Sequence, residues 1–563
     1  MEEKRNSQEN GVPKGHNAED SYKQFQSAAV VCNNSISCTV GKNILAEGGS
    51  VVDAAIASML TIGVISFQSA GIGGGFIMVY YDAETKQDYV LDARTVAPLA
   101  AYQDMYNVER YHRTYGRLSI AIPGEIRGYW EAHVRFGKLP WSRLFEPAIQ
   151  AAEDGFGMTS SCENWMNIMF AKVEENNNLR NLLKKADGNF KRAGDIIKRP
   201  NYAETLRIIA KEGCEAFYNG SLTKSILEDI NDGFGLPSII TKEDFTGYRV
   251  KMEKSIKINL DDNHQLITTP APSGGPVLAF MLNILKGYKF TSKDLSEDKI
   301  LTYHRIVEAM KFAYYERNHL GDPDFSIKVE EVVQNMVSEE HAREIRKRID
   351  DTQTHLIEYY GESLLPLPED HGTAQLGIIG KDGSAIAMTS TVNNAFGSSM
   401  YGKRTGILFN DQMALFSVPQ ADNPNTYRLQ NLIAPGKRCV TATCPSIIME
   451  KTPNGSEVKM VIGGSGGSRI INSSLIVIMR TLWFNKNINE AVNEKRFHHS
   501  WYPNVLRFQE GFNKEIIHGL KNKGHEIETE GSHVSTVQAI MRQNENIIAA
   551  KCDDRRGGSP DGF

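Results

Sequence analysis

The run His371-Gly372-Thr373-Ala374-Gln375-Leu376-Gly377-Ile378-Ile379-Gly380 is followed by Lys381-Asp382-Gly383 and then by Ser384 through Asn393. Two stretches rich in Ile, Ala and Thr around an Asp-Gly pair predict two buried strands joined by a tight turn. A three-residue loop between Gly380 and Ser384 sets Thr373 opposite Thr391. A hydroxyl that begins a strand, follows a glycine and faces a second hydroxyl has what an N-terminal nucleophile needs. The threonine can cut the Gly-Thr bond with its own hydroxyl, and the freed α-amine then serves as the base that activates it. The same spacing also describes an ordinary hairpin with Thr at positions of high β propensity, and spacing alone does not separate the two.

Other patterns exclude more than they assign. Gly463-Gly464-Ser465-Gly466-Gly467-Ser468-Arg469 is not a phosphate loop, because no Gly-Lys-Ser/Thr follows, and Gly71–Gly75 lacks dinucleotide-binding spacing. His498 and His499 are adjacent, so their side chains point apart, and no Cys or carboxylate spacing supports them as metal ligands. The seven cysteines are scattered without a CxxC pair, which argues against zinc and against a disulfide framework. No cofactor and no metal are expected.

These groups need a scaffold, and the composition supplies one. A 563-residue chain with 41% hydrophobic and 23% charged residues has ample core for a globular fold. A net charge of −5 leaves no basic footprint for nucleic acid or for an anionic membrane. Residues 1–26 are polar and read as a disordered tail without a leader or anchor. The longest apolar run, Ala54 to Phe67, is too short to span a bilayer. Ser50 reads as the N-cap of a helix whose first turn holds Asp53. Phe76–Tyr81 reads as a strand, and the middle of the chain as mostly helical, with 129–136 and 304–317 as amphipathic helices and 328–351 as a charged, solvated one. Leu364–Asp370 is a proline-broken linker just ahead of Thr373. Beyond it, strands are expected at 373–380, 384–391, 405–409, 445–450 and 458–462, and helices near 469–484 and 488–495. Asn33, Asn219, Asn454 and Asn472 open glycosylation sequons, of which Asn472 leads into an apolar run and reads as buried.

The 371–393 segment and the run Thr405-Gly406-Ile407-Leu408-Phe409-Asn410-Asp411-Gln412-Met413 resemble the γ-glutamyltransferase (glutathione hydrolase) family. So do Gly48–Ala55, Gly71–Gly75, Pro123–Gly128, Phe217–Ser221, Gly463–Arg469 and Asp554–Gly558, in family order from about Ala28 to the end. The resemblance implies an α+β, four-layer αββα N-terminal nucleophile hydrolase sandwich, cut between Gly372 and Thr373. The large (27–372) and small (373–563) segments would then associate as a heterodimer within one domain. It further implies Thr373 as nucleophile, Thr391 and Asn393 as residues that orient it and contact substrate, and Gly466 and Gly467 as the oxyanion hole. Arg94 matches the arginine that holds the substrate α-carboxylate, and Gln412 a contact to the α-amino group. The substrate implied is glutathione or another γ-glutamyl compound, with water or an amino acid as acceptor. Family members usually act outside the cell, which the polar first 26 residues do not explain.

Two positions depart from the family. Its acidic pair after Gln412-Met413 is Ala414-Leu415 here, and its Ser-Ser pair is Thr441-Ala442. Leu415 removes the carboxylate expected to meet the substrate ammonium, and Ala442 removes a hydroxyl donor. Loss of a buried charged partner costs on the order of 2–5 kcal/mol. The expectation is therefore a γ-glutamyl enzyme of weakened or shifted specificity. Its alternatives are an acylase for glutaryl-type chains, which carry no ammonium, and an impaired homologue that acts by binding.

Overall fold

The structure is a computed structural model that describes residues 21–563 except residues 108, 362–371, 420–428, 454 and 532–534. His371 and the linker ahead of it therefore lie outside the described residues, as does Asn454. Two seven-stranded sheets form the centre. One runs in the order Tyr22–Phe25, Ile547–Lys551, Thr536–Asn544, Gly455–Ser465, Ser446–Thr452, His264–Thr268 and Ile256–Asn259. The other runs Asp561–Gly562, Ala29–Val31, Gly372–Ile379, Ala385–Asn393, Gly75–Asp82, Gln87–Ala93 and Lys251–Glu253. Both sheets combine strands from before and after Gly372, and in each sheet the two sets are hydrogen-bonded to one another. The sheets pack face to face, with Gly372–Ile379 of one against Gly455–Ser465 of the other. Helices cover the outer faces, which gives the αββα layering.

The helix Val51–Ile65 shows why these elements form where they do. Ser50 Oγ accepts the Asp53 N–H at 3.1 Å while the Asp53 carboxylate accepts the Ser50 N–H at 2.9 Å, a reciprocal cap that satisfies two orphan donors. Every residue of this helix is buried, and its small Ala54, Ala55 and Ala57 let it lie close on the Gly372–Ile379 and Ala385–Asn393 strands.

Several expectations need correction. Tyr22–Phe25 is not part of a disordered tail but an edge strand paired with Ile547–Lys551. Residues 405–409 form no sheet strand; they fold back on their own upstream loop, where Gly402 N–H bonds Ile407 O and Phe409 N–H bonds Met400 O. The helix at 304–317 starts earlier, at Lys299, and is not amphipathic. Its Glu308 and Lys311 are both buried, 3.1 Å apart, and Tyr360 donates to Glu308 at 2.6 Å. Polar residues that satisfy one another inside the core look, in sequence, like a solvated face. The charged region 328–351 is two helices, Ile327–Val337 and Glu339–Arg348, broken where Ser338 caps the second. Asn472 is buried, as its apolar context predicts.

Candidate active site

The predicted register is observed: Thr373 pairs with Thr391, Gln375 with Thr389 and Ile378 with Ile386. One feature was not legible. The ladder shifts between Gly372 and Thr373, so Gly372 lies opposite Asn393, and this irregularity falls on the Gly-Thr bond itself. A Cβ at Gly372 would lie 2.4 Å from the Asn394 carbonyl oxygen, so only glycine fits. Thr373 Oγ1 donates to Thr391 Oγ1 at 3.2 Å, and Thr391 Oγ1 donates to the Gly372 carbonyl at 2.5 Å. The Asn393 N–H donates to Thr391 Oγ1 at 2.8 Å, which fixes that hydroxyl's rotor.

Asn393 adopts φ 79°, the left-handed region, where Asn is one of the few tolerated side chains. Its Nδ2 donates to Asp411, but its buried Oδ1 has no protein partner. Asp411, which the sequence reading left without a role, accepts from both Asn393 and Asn394, and burial raises its pKa to about 6. Gln412 is fully engaged: its Oε1 accepts from Thr95 Oγ1 at 2.7 Å and its Nε2 donates to Thr391 O at 2.9 Å. It therefore braces the Thr391 strand.

Gly466 and Gly467 follow the Gly455–Ser465 strand and precede the helix Arg469–Leu482, with φ of 120° and 64°. Two consecutive positive φ values turn the backbone sharply there, at positions L side chains rarely adopt. Arg556 ties this turn to Thr373: its Nη1 donates to Thr373 O at 2.8 Å and to Ser465 Oγ at 2.9 Å.

Arg94 follows the strand Gln87–Ala93 and is 1% exposed. Its Nη1 donates to the Cys439 carbonyl at 2.6 Å and its Nη2 to Cys439 Sγ at 3.2 Å, while its Nε lacks a partner. No carboxylate among the described residues lies within ion-pair distance of its guanidinium. Thr441 and Ala442 are buried two and three residues beyond Cys439. Leu415 ends the turn Gln412–Leu415 and is buried in an apolar cluster with Tyr106, Leu118, Met413, Phe416 and Cys439. Arg113 caps this turn through the Ala414 and Phe416 carbonyls and likewise has no carboxylate partner among the described residues. Thus the sequence-predicted residues separate into a hydroxyl centre at 373, 391 and 393, the turn at 466–467, and an arginine-lined, partly apolar region at 94, 415 and 439–442.

The gamma-glutamyltranspeptidase family model matches residues 37–563. The chain belongs to this family. It is 38% identical to Scoloptoxin SSD14 of Scolopendra dehaani over 550 residues, covering 96% of this chain and 93% of the relative. It is 36% identical to Glutathione hydrolase proenzyme 2 of Schizosaccharomyces pombe, covering 97% of this chain and 87% of the relative. The cephalosporin acylase of Bacillus halodurans superposes with a TM-score of 0.81 over 99% of both chains at 24% identity, which shows the shared fold. Like its family, the chain is a hydrolase or transferase of the N-terminal nucleophile class.

His498 and His499 lie in the family fold as buried side chains, not as ligands of one site. Asn472 Nδ2 bonds His498 Nδ1, the Trp501 N–H bonds His499 Nδ1, and burial holds both imidazoles well below the usual histidine range. His304, Glu308 and His525 do converge. There, however, the two rings bond each other at 2.8 Å and the Lys311 ammonium already sits beside Glu308, so a cation is resident in the side chains themselves.

Proposed function

We propose that this chain cuts itself between Gly372 and Thr373 and then uses Thr373 to transfer γ-glutamyl-type acyl groups to water or to an amino acid. The observation that carries this reading is the chain of hydroxyls in which Thr373 donates to Thr391 and Thr391 donates to the Gly372 carbonyl. A donor on that carbonyl polarises it towards attack by the neighbouring Thr373 hydroxyl. The attack forms an ester in place of the amide and frees the Thr373 amine; water then hydrolyses the ester and releases Gly372 as a carboxylate. The new α-amine, with an ordinary pKa of about 7.7–8.0, takes the hydroxyl proton when Thr373 attacks a donor amide. It passes that proton to the leaving amine, and the acyl group stays on Thr373 Oγ1 until water or an acceptor amine attacks. In this reading the backbone N–H groups of the Gly466–Gly467 turn, at the family's oxyanion-hole position, receive the oxyanion, an effect worth about 3–4 kcal/mol per donor. The pieces 1–372 and 373–563 would remain together, because their strands interleave in both sheets.

Arg94, a buried guanidinium with no acidic partner among the described residues, suits a substrate carboxylate, which its fork can bind in bidentate fashion. The orphaned Asn393 Oδ1 can accept from a donor's ammonium. Against that, Leu415 sits among apolar side chains where the family's acid would stand, and Arg113 adds positive charge to the same turn. These two observations favour a second reading, in which the preferred acyl group carries a distal carboxylate and no ammonium, as glutaryl does. Turnover of γ-glutamyl-p-nitroanilide beside glutaryl-p-nitroanilide by the purified, cut protein decides. A higher kcat/KM for the first supports the γ-glutamyl reading, a higher value for the second supports the glutaryl one, and turnover of neither overturns both.

A further inference from the structure

Two cysteines from near the start of the chain and one from near its end meet inside the core. Cys32 follows the strand Ala29–Val31, which pairs with Gly372–Ile379, and Cys38 lies in the first turns of the helix Ser35–Ala46. Their sulfurs are 3.2 Å apart. Cys552, directly after the strand Ile547–Lys551, brings its sulfur beside Cys38 as well. All three are free thiols without exposed surface. The segment between the first two is a closed turn. Cys32 Sγ donates to the Asn34 carbonyl at 3.1 Å, and Asn34 Oδ1 accepts the Ser37 N–H at 2.8 Å, which caps the helix. Asn33 in the same turn accepts the Gln375 N–H at 2.9 Å, two residues beyond Thr373.

We propose that Cys32 and Cys38 are a disulfide-forming pair, oxidised by a low-molecular-weight disulfide while the chain folds, and that burial then fixes whichever state, bridged or reduced, the folding compartment has set. A bond of about 2.05 Å needs the two sulfurs to close by only about 1 Å more. The step is ordinary exchange. One cysteine, as thiolate, attacks the small disulfide and expels a thiolate; the other cysteine then attacks the mixed disulfide and expels the second. The two cysteines lose two electrons and two protons, and the small disulfide gains them as two thiols. The pair are six residues apart, so their loop closes early and at little entropic cost. Cys552 reaches them only when the far end of the chain pairs with Tyr22–Phe25. In the finished fold exchange stops. Burial holds the Cys38 thiol well above the usual thiol range, the adjacent Cys32 and Cys552 sulfurs raise it further, and a reagent thiol meets no exposed sulfur. A bridged turn holds Asn33 against Gln375 with fewer open states in competition.

The full chain is made twice in a bacterium to test this, once in the reducing cytoplasm and once, behind a secretion leader, in the oxidising periplasm. Each preparation is alkylated in denaturant, digested with trypsin and weighed. Cys32 and Cys38 share the tryptic peptide 24–42. In the periplasmic protein this peptide should carry no label and weigh two hydrogens less until it is reduced, with every other cysteine labelled. In the cytoplasmic protein all seven cysteines should be labelled. A dithiol added to the native periplasmic form, or 2-hydroxyethyl disulfide added to the native cytoplasmic form, should leave peptide 24–42 unchanged until denaturant is present. Full labelling of the periplasmic protein overturns the proposal, and so does a bridge to Cys552, which would join pieces 1–372 and 373–563 on a non-reducing gel. A native form that changes its state overturns the fixing by burial. Should the periplasmic chain fail to accumulate, the same measurement on chain made in a cytoplasm without its thiol-reducing enzymes decides in its place.

Discussion

Thr391 Oγ1 lies 2.5 Å from the Gly372 carbonyl oxygen, across a ladder that shifts register at that residue. In an unbroken antiparallel ladder that carbonyl would have a backbone partner or face away from the opposing strand. Here the shift turns it towards a side-chain hydroxyl, the same hydroxyl to which Thr373 donates. Under the self-cleavage proposed above, the peptide bond to be cut, the group that attacks it and the group that polarises it are thus gathered by one local irregularity.

Thr391→Val keeps the β-branched shape but removes the donor to Gly372. Self-cleavage should slow by about 10- to 100-fold, in line with the loss of one buried hydrogen bond. The band ratio on denaturing gels over time measures it. Thr373→Ala should remain a single full-length band. Cleavage of Thr373→Ala at the wild-type rate would show that another group cuts the chain.

Leu415 is 4% exposed and packed against Phe416 and Tyr106 in an apolar cluster. Leu415→Asp, combined with Ala442→Ser, should lower KM for γ-glutamyl donors by roughly tenfold or more, as a charged hydrogen bond re-forms with the donor ammonium. The glutaryl donor should gain nothing. Without ligand the new carboxylate is buried and unpaired, so thermal stability should fall and recover when a γ-glutamyl ligand is added. Unchanged γ-glutamyl kinetics in a normally cut variant would remove Leu415 from the pocket.

The part of this site legible in sequence was the part set by local rules. The Asp-Gly turn and strand alternation fixed Thr373 opposite Thr391, and the Ser50–Asp53 cap marked a helix start correctly. Contacts across long separations left no such signature. Arg556 meets Thr373 from 183 residues away, and Tyr22–Phe25 finds its partner strand at the other end of the chain. The Glu308–Lys311 pair misled for a related reason, because a buried pair and an exposed pair are written with the same letters. The departure at Leu415 was visible as a residue type, but only its packing with Tyr106 and Phe416 shows that the region is apolar and not merely missing one acid.

Arg94 is the residue both substrate readings share. Arg94→Lys keeps the charge but loses the planar fork that now spans the Cys439 carbonyl and thiol. KM should rise by about 10- to 100-fold for γ-glutamyl and glutaryl donors alike, with self-cleavage unaffected. A selective effect on one donor would show that the two carboxylates bind differently.

Glu125 offers a test of the layer behind the Ala385–Asn393 strand. Its side chain is buried beneath Ser390, whose hydroxyl donates to it at 3.0 Å, and Tyr129 donates to its other oxygen. Burial raises its pKa to about 7 from the ordinary 4.5, only partly offset by those two bonds. A carboxyl whose folded pKa is raised binds its proton more tightly in the folded chain. Its contribution to stability is therefore complete below about pH 4.5, declines as the pH rises, and is lost above about pH 7, a change of about 3 kcal/mol. Asp411, raised to about 6, acts in the same direction. The urea midpoint of the uncut Thr373→Ala chain should thus drop between about pH 5 and pH 8, and adding Glu125→Gln, which cannot ionise, should flatten much of that drop. An equal drop in both chains would mean that Glu125 reaches solvent and titrates as an ordinary carboxylate.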